Sequence, residues 1–269
     1  MHTQVIDDCT EGRGESLTLP IILSIETATM GGSVFVGRGP AELAAINGDP
    51  QVSQSGSLLS DINTALEDAA LTLPDVDVFA CTSGPGSFTG LRIGIATLKA
   101  LAATLDRPCV GIPTLQAVAQ SAGVSAATVA LLPAGRGELF AQLFSVSADQ
   151  TVTELDQPAH LSPKKLVEKY GTQMNLIWAG PGAHQQRQFL EDTAQQLGIT
   201  FTEDSIDSLA HPGGKGGNTW RLAARELNLA RHAAALALQL FNRGKVQSAE
   251  TIQAIYVRPS DAELNQQCR

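Results

Sequence analysis

The sequence is poor in the groups around which metal and redox centres are built. Its four cysteines, Cys9, Cys81, Cys109 and Cys268, lie far apart, with no Cys-x-x-Cys pair. That spacing excludes a zinc site or a disulfide framework and fits reduced cytosolic thiols, with Cys81 and Cys109 packing as small apolar groups in strands. The five histidines fall singly, without a His-x-x-x-His or His-Glu-x-x-His pair, so no cluster is available to hold a water-activating metal. Bases are scarce as well: 18 Lys and Arg face 27 Asp and Glu, for a net charge of −9, and no Lys/Arg cluster occurs. Tight direct binding of nucleic acid through a basic patch is thereby excluded; any RNA involved would be held mostly by another subunit. No apolar run approaches the roughly 20 residues of a bilayer span, so no membrane crossing is expected. Residues 1–20 are polar, with Gly12 and Gly14, and lack the apolar core of a signal peptide. They read as a flexible extension.

What is present is a 269-residue chain, 43% hydrophobic and with mean hydropathy +0.03, enough for a full globular core in one large or two ordinary domains. Its organising stretch is Thr82 to Gly94. A short apolar run, Val76 to Cys81, reads as a buried strand, and Leu91, Ile95, Leu98, Leu101 and Leu105 recur at helical spacing. Between them lies Gly84-Pro85-Gly86-Ser87-Phe88-Thr89-Gly90. A strand, a glycine turn and a helix capped at Ser87 or Thr89 make either a well-capped turn or a phosphate cradle. The spacing is one residue too long for the dinucleotide fingerprint, and no Gly-Lys-Ser/Thr closes it as a P-loop would.

As a string, Ser83-Gly84-Pro85-Gly86-Ser87-Phe88-Thr89-Gly90-Leu91-Arg92-Ile93-Gly94 closely resembles the hallmark of the bacterial TsaB (YeaZ) family, paralogues of TsaD. A second string, Tyr256-Val257-Arg258-Pro259-Ser260-Asp261-Ala262-Glu263, resembles that family's terminal Tyr-Leu-Arg-Pro-Pro-Asp-Ala-Glu run. The resemblance covers about residues 21–263, leaving aside the Gly/Lys stretch 211–218, which reads as a solvated insertion. It implies an α/β, actin/sugar-kinase/Hsp70-like (RNase H-like) two-lobed fold with mixed sheets flanked by helices. On that reading, residues 21–110 form a first lobe, 111–245 a second lobe with a long C-terminal helix, and 246–269 a strand and tail returning toward the first.

The remaining chain divides accordingly. Ile21 to Glu26 reads as a buried strand and Gly32 to Val36 as its hairpin partner. In the wider superfamily an acid at this strand end helps hold magnesium near nucleotide phosphates. The resemblance therefore groups Glu26, Thr27, Gly84, Gly86, Ser87, Thr89 and Arg92 as a vestigial phosphate loop, the alternative for Glu26 being a carboxylate bonded to its own turn. Residues 55–71 form an amphipathic helix. The His-x-x-x-His pair that TsaD uses for metal on this helix is absent. Thr114 caps a short helix; strands follow at Val129 to Leu132 and Glu138 to Phe144, where Pro133 and Gly135 stand in place of the family's usual Asp and Arg. A second strand–glycine–helix unit runs from Leu176 through Gly180-Pro181-Gly182, and a long helix or helix pair extends from Trp220 to Gly244.

Together these imply a cytoplasmic, non-catalytic subunit with no catalytic or metal residues and no confidently bound cofactor; ATP serves the wider pathway. TsaD, a threonylcarbamoyltransferase acting on tRNA, is the implied partner, with the ATPase TsaE joining and tRNA reached through the complex. The docking surface is expected on the helices at 55–71 and 90–105, through Leu58, Leu59, Ile62, Leu66, Gly90, Gly94, Leu98 and Leu101. A homodimer through the same helices is the alternative cover. The competing readings are an independent nucleotide-dependent ATPase or kinase of the superfamily, for which Glu26 and the glycine loop speak, and a metalloprotease, which lacks ligands.

Overall fold

The computed structural model describes residues 19–52, 54–204 and 217–257. The amino-terminal stretch 1–18, residues 205–216 with most of the Gly/Lys stretch, and 258–269 with most of the second family string lie outside them.

The first sheet is built from β1 (Ile21–Glu26), β2 (Ser33–Arg38), β3 (Ala41–Asn47), β4 (Val78–Gly84) and β5 (Cys109–Pro113) in the order β3-β2-β1-β4-β5. β1 is antiparallel to β2 and parallel to β4, which is parallel to β5. Every residue of β1 and β4 is buried because both faces of the sheet are covered, as unbroken apolar strands require. On one face Leu23, Ile25, Val34 and Phe79 meet α1 (Gln54–Asp68) and α2 (Phe88–Leu105) through Leu58, Ile62, Leu66 and Leu98. Strand β3 was not anticipated: Ala41–Asn47 is a half-exposed edge strand carrying Glu42, without a clean apolar alternation. Burial pushes the Cys81 thiol up to about 12, the neighbouring Cys109 adding to the effect, which leaves Cys81 an inert core group.

Helix α2 is, among the described residues, long and apolar enough by composition to cross a membrane. Instead it is the crossover between neighbouring parallel strands β4 and β5, and packs Leu91, Ile95, Leu98 and Ala102 inward.

The second sheet follows α3 (Thr114–Ser121). It contains β6 (Ser125–Gly135), β7 (Glu138–Val146), β8 (Val152–Glu154), β9 (Ala159–Leu161), β10 (Leu176–Ala179), β11 (Thr200–Glu203) and β12 (Thr219–Leu222), in the order β11-β12-β10-β6-β7-β8 with β9 also on β7. Around it lie α4 (Pro163–Tyr170), α5 (Pro181–Gln185) and α6 (Arg187–Gln196). The Ser162 cap with Pro163 in the first turn forms as its sequence suggests. Two details differ from the sequence reading. Thr114 is the first helical residue of α3, not its cap, and its hydroxyl accepts the Gly84 N–H at 3.2 Å. Trp220 opens no helix. It lies in β12 between β10 and β11, where its ring meets Trp178 edge-on with centroids 5.0 Å apart. A fully buried position between two parallel strands outweighs the weak helical spacing of the alanines that follow.

The last helix, α7 (Leu229–Asn242), was grouped with the second lobe on sequence. It packs against β1, β2, β4 and β5 of the first sheet and against α3. One apolar core thus runs from Ile22, Val78 and Ala80 through Ala230, Ala233 and Ala237 to Leu132, Phe144 and Ile177 of the second sheet. The joint is Asn228, 4% exposed. Its amide nitrogen donates to Val34 O, Ile46 O and Asn47 Oδ1 at 3.3, 3.1 and 3.0 Å, while its Oδ1 accepts from Arg231 N and caps α7. The chain then returns along the edge of β5. Gln247 and Cys109 exchange backbone bonds of 2.8 and 3.0 Å, Ile252 enters the core under α1 and α2, and Ile255 N donates to Ser83 O at 2.7 Å. The strand expected here is, among the described residues, a single bridge, which still covers an otherwise open edge.

Replacing Asn228 with Ala removes a helix cap and orphans buried carbonyls, at a cost of about 2–4 kcal/mol. A clear fall in the thermal unfolding midpoint is expected; an unchanged midpoint would show that this amide does not hold the joint.

Candidate functional site

The β1–β2 turn and the β4–α2 loop face each other at the carboxyl ends of two adjacent parallel strands, the edge where open α/β sheets usually place ligands. Here the two loops close on one another. Ser87 N donates to Ala28 O at 2.8 Å. A Cβ on Gly86 would stand 2.6 Å from both the Cβ and the carbonyl oxygen of Ala28, and one on Gly94 would overlap the Thr27 hydroxyl. Gly84, at φ +117°, is pressed from the other side by the Ile255 carbonyl. Ser87 caps α2 by accepting the Gly90 N–H at 3.2 Å. Three N–H groups of the glycine stretch, those of Gly84, Ser87 and Gly90, therefore already have protein acceptors.

Glu26 ends β1 and is 1% exposed. Its carboxylate accepts the Thr29 N–H and the Thr29 hydroxyl, each at 2.7 Å. Burial raises its pKa above the ordinary value, and the Thr29 and Ala28 bonds only partly offset this. The carboxylate thus serves its own turn, the second of the two sequence readings. Neither Glu26, Thr27, Gly84 nor Gly86 lines the adjoining cavity, whereas Ser87, Thr89 and Gly90 do. Arg92 points elsewhere, over the ring of Phe88.

That cavity, about 660 Å³, lies between the lobes, within the usual range for small-molecule sites. The first lobe supplies Ala28 to Gly32, Asn47 and Gly48; the second supplies Leu132, Pro133, Gly180, Pro181, His184 and the 225–229 segment. The Gly180-Pro181-Gly182 echo seen in the sequence is thus the opposite wall. Burial, followed by the Arg225 charge, lowers the His184 pKa, against the opposing pull of the Ala223 carbonyl. For Glu226, burial opposes ionisation but is outweighed by His232 Nε2 at 2.9 Å and Asn228 N at 2.6 Å, so its pKa is lowered. Arg225, Glu226 and Leu227 of this wall were missed on sequence because they come from the strand-to-helix link before α7, which the helical spacing concealed. Among the described residues, no group of three His, Cys, Asp or Glu side chains is placed to hold a metal.

Most of the side chains expected at a docking surface on α1 and α2 are turned inward. Leu58, Ile62, Leu66 and Leu98 are 6%, 2%, 4% and 1% exposed and form the chain's own core. Gly90 and Gly94 are buried and Leu101 half-buried. Large apolar residues on a sheet-flanking helix turn inward. Leu59 alone of the buried-stripe candidates is outward, at 64%. The outer face of α2 consists of Phe88, Thr89, Arg92, Ala96, Ala100, Ala103 and Thr104, while Gly90, Leu91, Gly94, Ile95, Leu98 and Ala102 are buried.

Two mixed sheets sharing a core, flanked by helices and meeting at a cleft floored by a glycine loop, define a two-lobed actin/sugar-kinase/Hsp70-like protein. The family model of TsaD, tRNA N6-adenosine threonylcarbamoyltransferase, matches residues 54–239, more than half of the chain. The tRNA threonylcarbamoyladenosine biosynthesis protein TsaB of Escherichia coli K12 is 25% identical over 240 residues, 88% of this chain and 94% of that protein. The Haemophilus influenzae protein of the same name is 38% identical over 109 residues, 40% and 44% of the two chains. Two solved structures from Pseudomonas aeruginosa share the fold: YeaZ, with TM-score 0.65, 22% identity and coverage of 88% and 100%, and a protein described as similar to peptidase YEAZ, with TM-score 0.67, 23% identity and coverage of 89% and 100%. The chain belongs to the TsaD family, in its TsaB (YeaZ) branch.

A carboxyl group whose folded pKa is raised contributes stability below its unfolded pKa and loses it as pH rises through the folded value. Glu26→Gln is therefore expected to unfold at a higher temperature than the wild type near about pH 8, the gap closing toward about pH 4. Melting curves that coincide across that range would contradict the assignment of a buried, ionisation-resistant acid.

Proposed function

We propose that this chain acts in tRNA threonylcarbamoyladenosine biosynthesis as a non-catalytic subunit that docks on a TsaD-type threonylcarbamoyltransferase. The observation that carries the reading is the outer face of α2, on which seven of the helix's 18 residues are exposed, Ala96, Ala100 and Ala103 among them, and the neighbouring helix α1 exposes Leu59. Small side chains let a partner helix approach closely, and wet apolar surface of this kind is what subunit contact removes. The closed glycine loop and the inward Glu26 agree with a body whose phosphate-handling parts now hold the fold together. A TsaE-type ATPase completes the cytoplasmic system, and with a net charge of −9 this chain leaves most of the tRNA contact to its partners. In isolation, a second copy of the chain would cover the same face.

The inter-lobe cavity favours one other reading, a nucleotide-binding ATPase or kinase. Titrating ATP–Mg into the isolated chain separates the two: the docking reading expects no turnover.

A stable heterodimer would bury on the order of 1,200–2,000 Å². Ala100→Arg adds bulk at an exposed position, and Leu59→Asp sets a charge in the contact. Each is expected to weaken docking at least about tenfold by calorimetry with unchanged melting, and to lower adenosine modification in a reconstitution with TsaD- and TsaE-type subunits and tRNA. Wild-type docking by both variants would sink the proposal.

A further inference from the structure

The two strings that carry the family resemblance are about 165 residues apart in sequence, and the fold brings them into contact at the first turn of α2. Phe88 of the first string lies against Tyr256 of the second, with centroids 5.4 Å apart and planes tilted by 40°. Arg92, one turn further along α2, holds its guanidinium carbon 3.8 Å from the centre of the Phe88 ring. The bond from Ile255 N to Ser83 O fixes the returning segment so that Tyr256 stays in place. This cluster does little for the core: Phe88 is 36% and Tyr256 49% exposed, and Ile255 beside them 37%. Arg92 is exposed and has no ion-pair partner among the described residues.

We infer that the Phe88–Arg92–Tyr256 cluster is the anchor of the docking face, and that it receives a carboxylate carried by a segment of the catalytic subunit. The inference rests on the docking reading above and adds to it the place and chemistry of its strongest contact. Aromatic residues and Arg are the side chains that dominate binding energy at interfaces. Contact with the Phe88 ring restrains the guanidinium before a partner arrives, and its fork can make a two-point bond to a carboxylate. Charge complementarity points the same way. Within Phe88–Leu105 the only charged side chains are Arg92 and Lys99, both basic on a chain of net −9. Lys99 is turned toward the chain's own Glu250 carbonyl at 3.4 Å, which leaves Arg92 to the partner. An RNA phosphate is the disfavoured occupant: one isolated Arg on an acidic protein is not the basic patch that a polyanion needs. Arg92 already occupies one face of the Phe88 ring, which leaves less of it for stacking a base.

The experiment measures the affinity of the full-length chain for the TsaD-type subunit, for the wild type, Arg92→Glu, Arg92→Lys, Tyr256→Ala, Tyr256→Phe and Ala100→Arg. The melting temperature of each variant and the binding of labelled tRNA to the chain alone and to the complex are measured alongside. Arg92→Glu is expected to weaken docking by about 100-fold, Arg92→Lys and Tyr256→Ala by about tenfold, and Tyr256→Phe little, all with wild-type melting. If Ala100→Arg abolishes docking while Arg92→Glu docks like the wild type, the docking face stands and the anchor is refuted. If both dock like the wild type, or the wild type does not dock, the anchor falls together with the reading it rests on. Loss of tRNA binding by Arg92→Glu with docking intact would assign the cluster to RNA and overturn the inference.

Discussion

The approach of the first turn of α2 to the β1–β2 turn decides how this edge of the molecule is used. Gly86 and Gly94 bring the helix so close to Ala28 and Thr27 that neither position has room for a side chain. With the loops in contact, the Ser87 N–H finds the Ala28 carbonyl and the Glu26 carboxylate turns to Thr29. Backbone donors at a helix start attract anions when nothing else satisfies them. Here part of that capacity is spent within the chain, and the neighbouring acid is held where ionisation is disfavoured.

The same packing sets which surfaces remain outside. Because α2 gives Leu91, Ile95, Leu98 and Ala102 to the sheet, its opposite side is left with small and short polar residues and with Arg92 lying over Phe88. Because α7 lies on the other face of the first sheet and also touches α3, the lobes share a core, and Asn228 ties the link between them to β2 and β3. The cavity between the lobes is therefore bounded by segments anchored on both sides, with Glu226 held in place by His232 and the Asn228 N–H.

Much of this was legible in the sequence, and the parts that were not share a cause. Mostly apolar runs such as Ile21 to Glu26 and Val76 to Cys81 announce buried strands, and Ser162-Pro163 announces a helix start. Strand β3 and strand β12 were hidden: Ala41–Asn47 has no clear period because it is an edge, and Thr219–Leu222 is too short to separate from the alanine-rich helix that follows. At the site, the glycine spacing of the loop was visible, but what the loop touches was not, since Ala28, Thr114 and Ile255 come from three distant segments. Periodicity also identified the amphipathic helices correctly while leaving their orientation open. Leu58, Ile62 and Leu66 mark a stripe that can face a partner or a sheet, and only the sheet's position on the same side decides it.

The returning segment after Gly244 has a consequence for the order of assembly. Its Gln247 seals the flank of β5 and its Tyr256 completes the aromatic cluster begun by Phe88, so a surface begun by α2 is finished by a segment that is synthesised well after it. In the proposed complex, a nascent or truncated polypeptide would display α2 without its final aromatic ring. Subunit pairing would then follow synthesis of the returning segment, and copies lacking it would be left out of the complex.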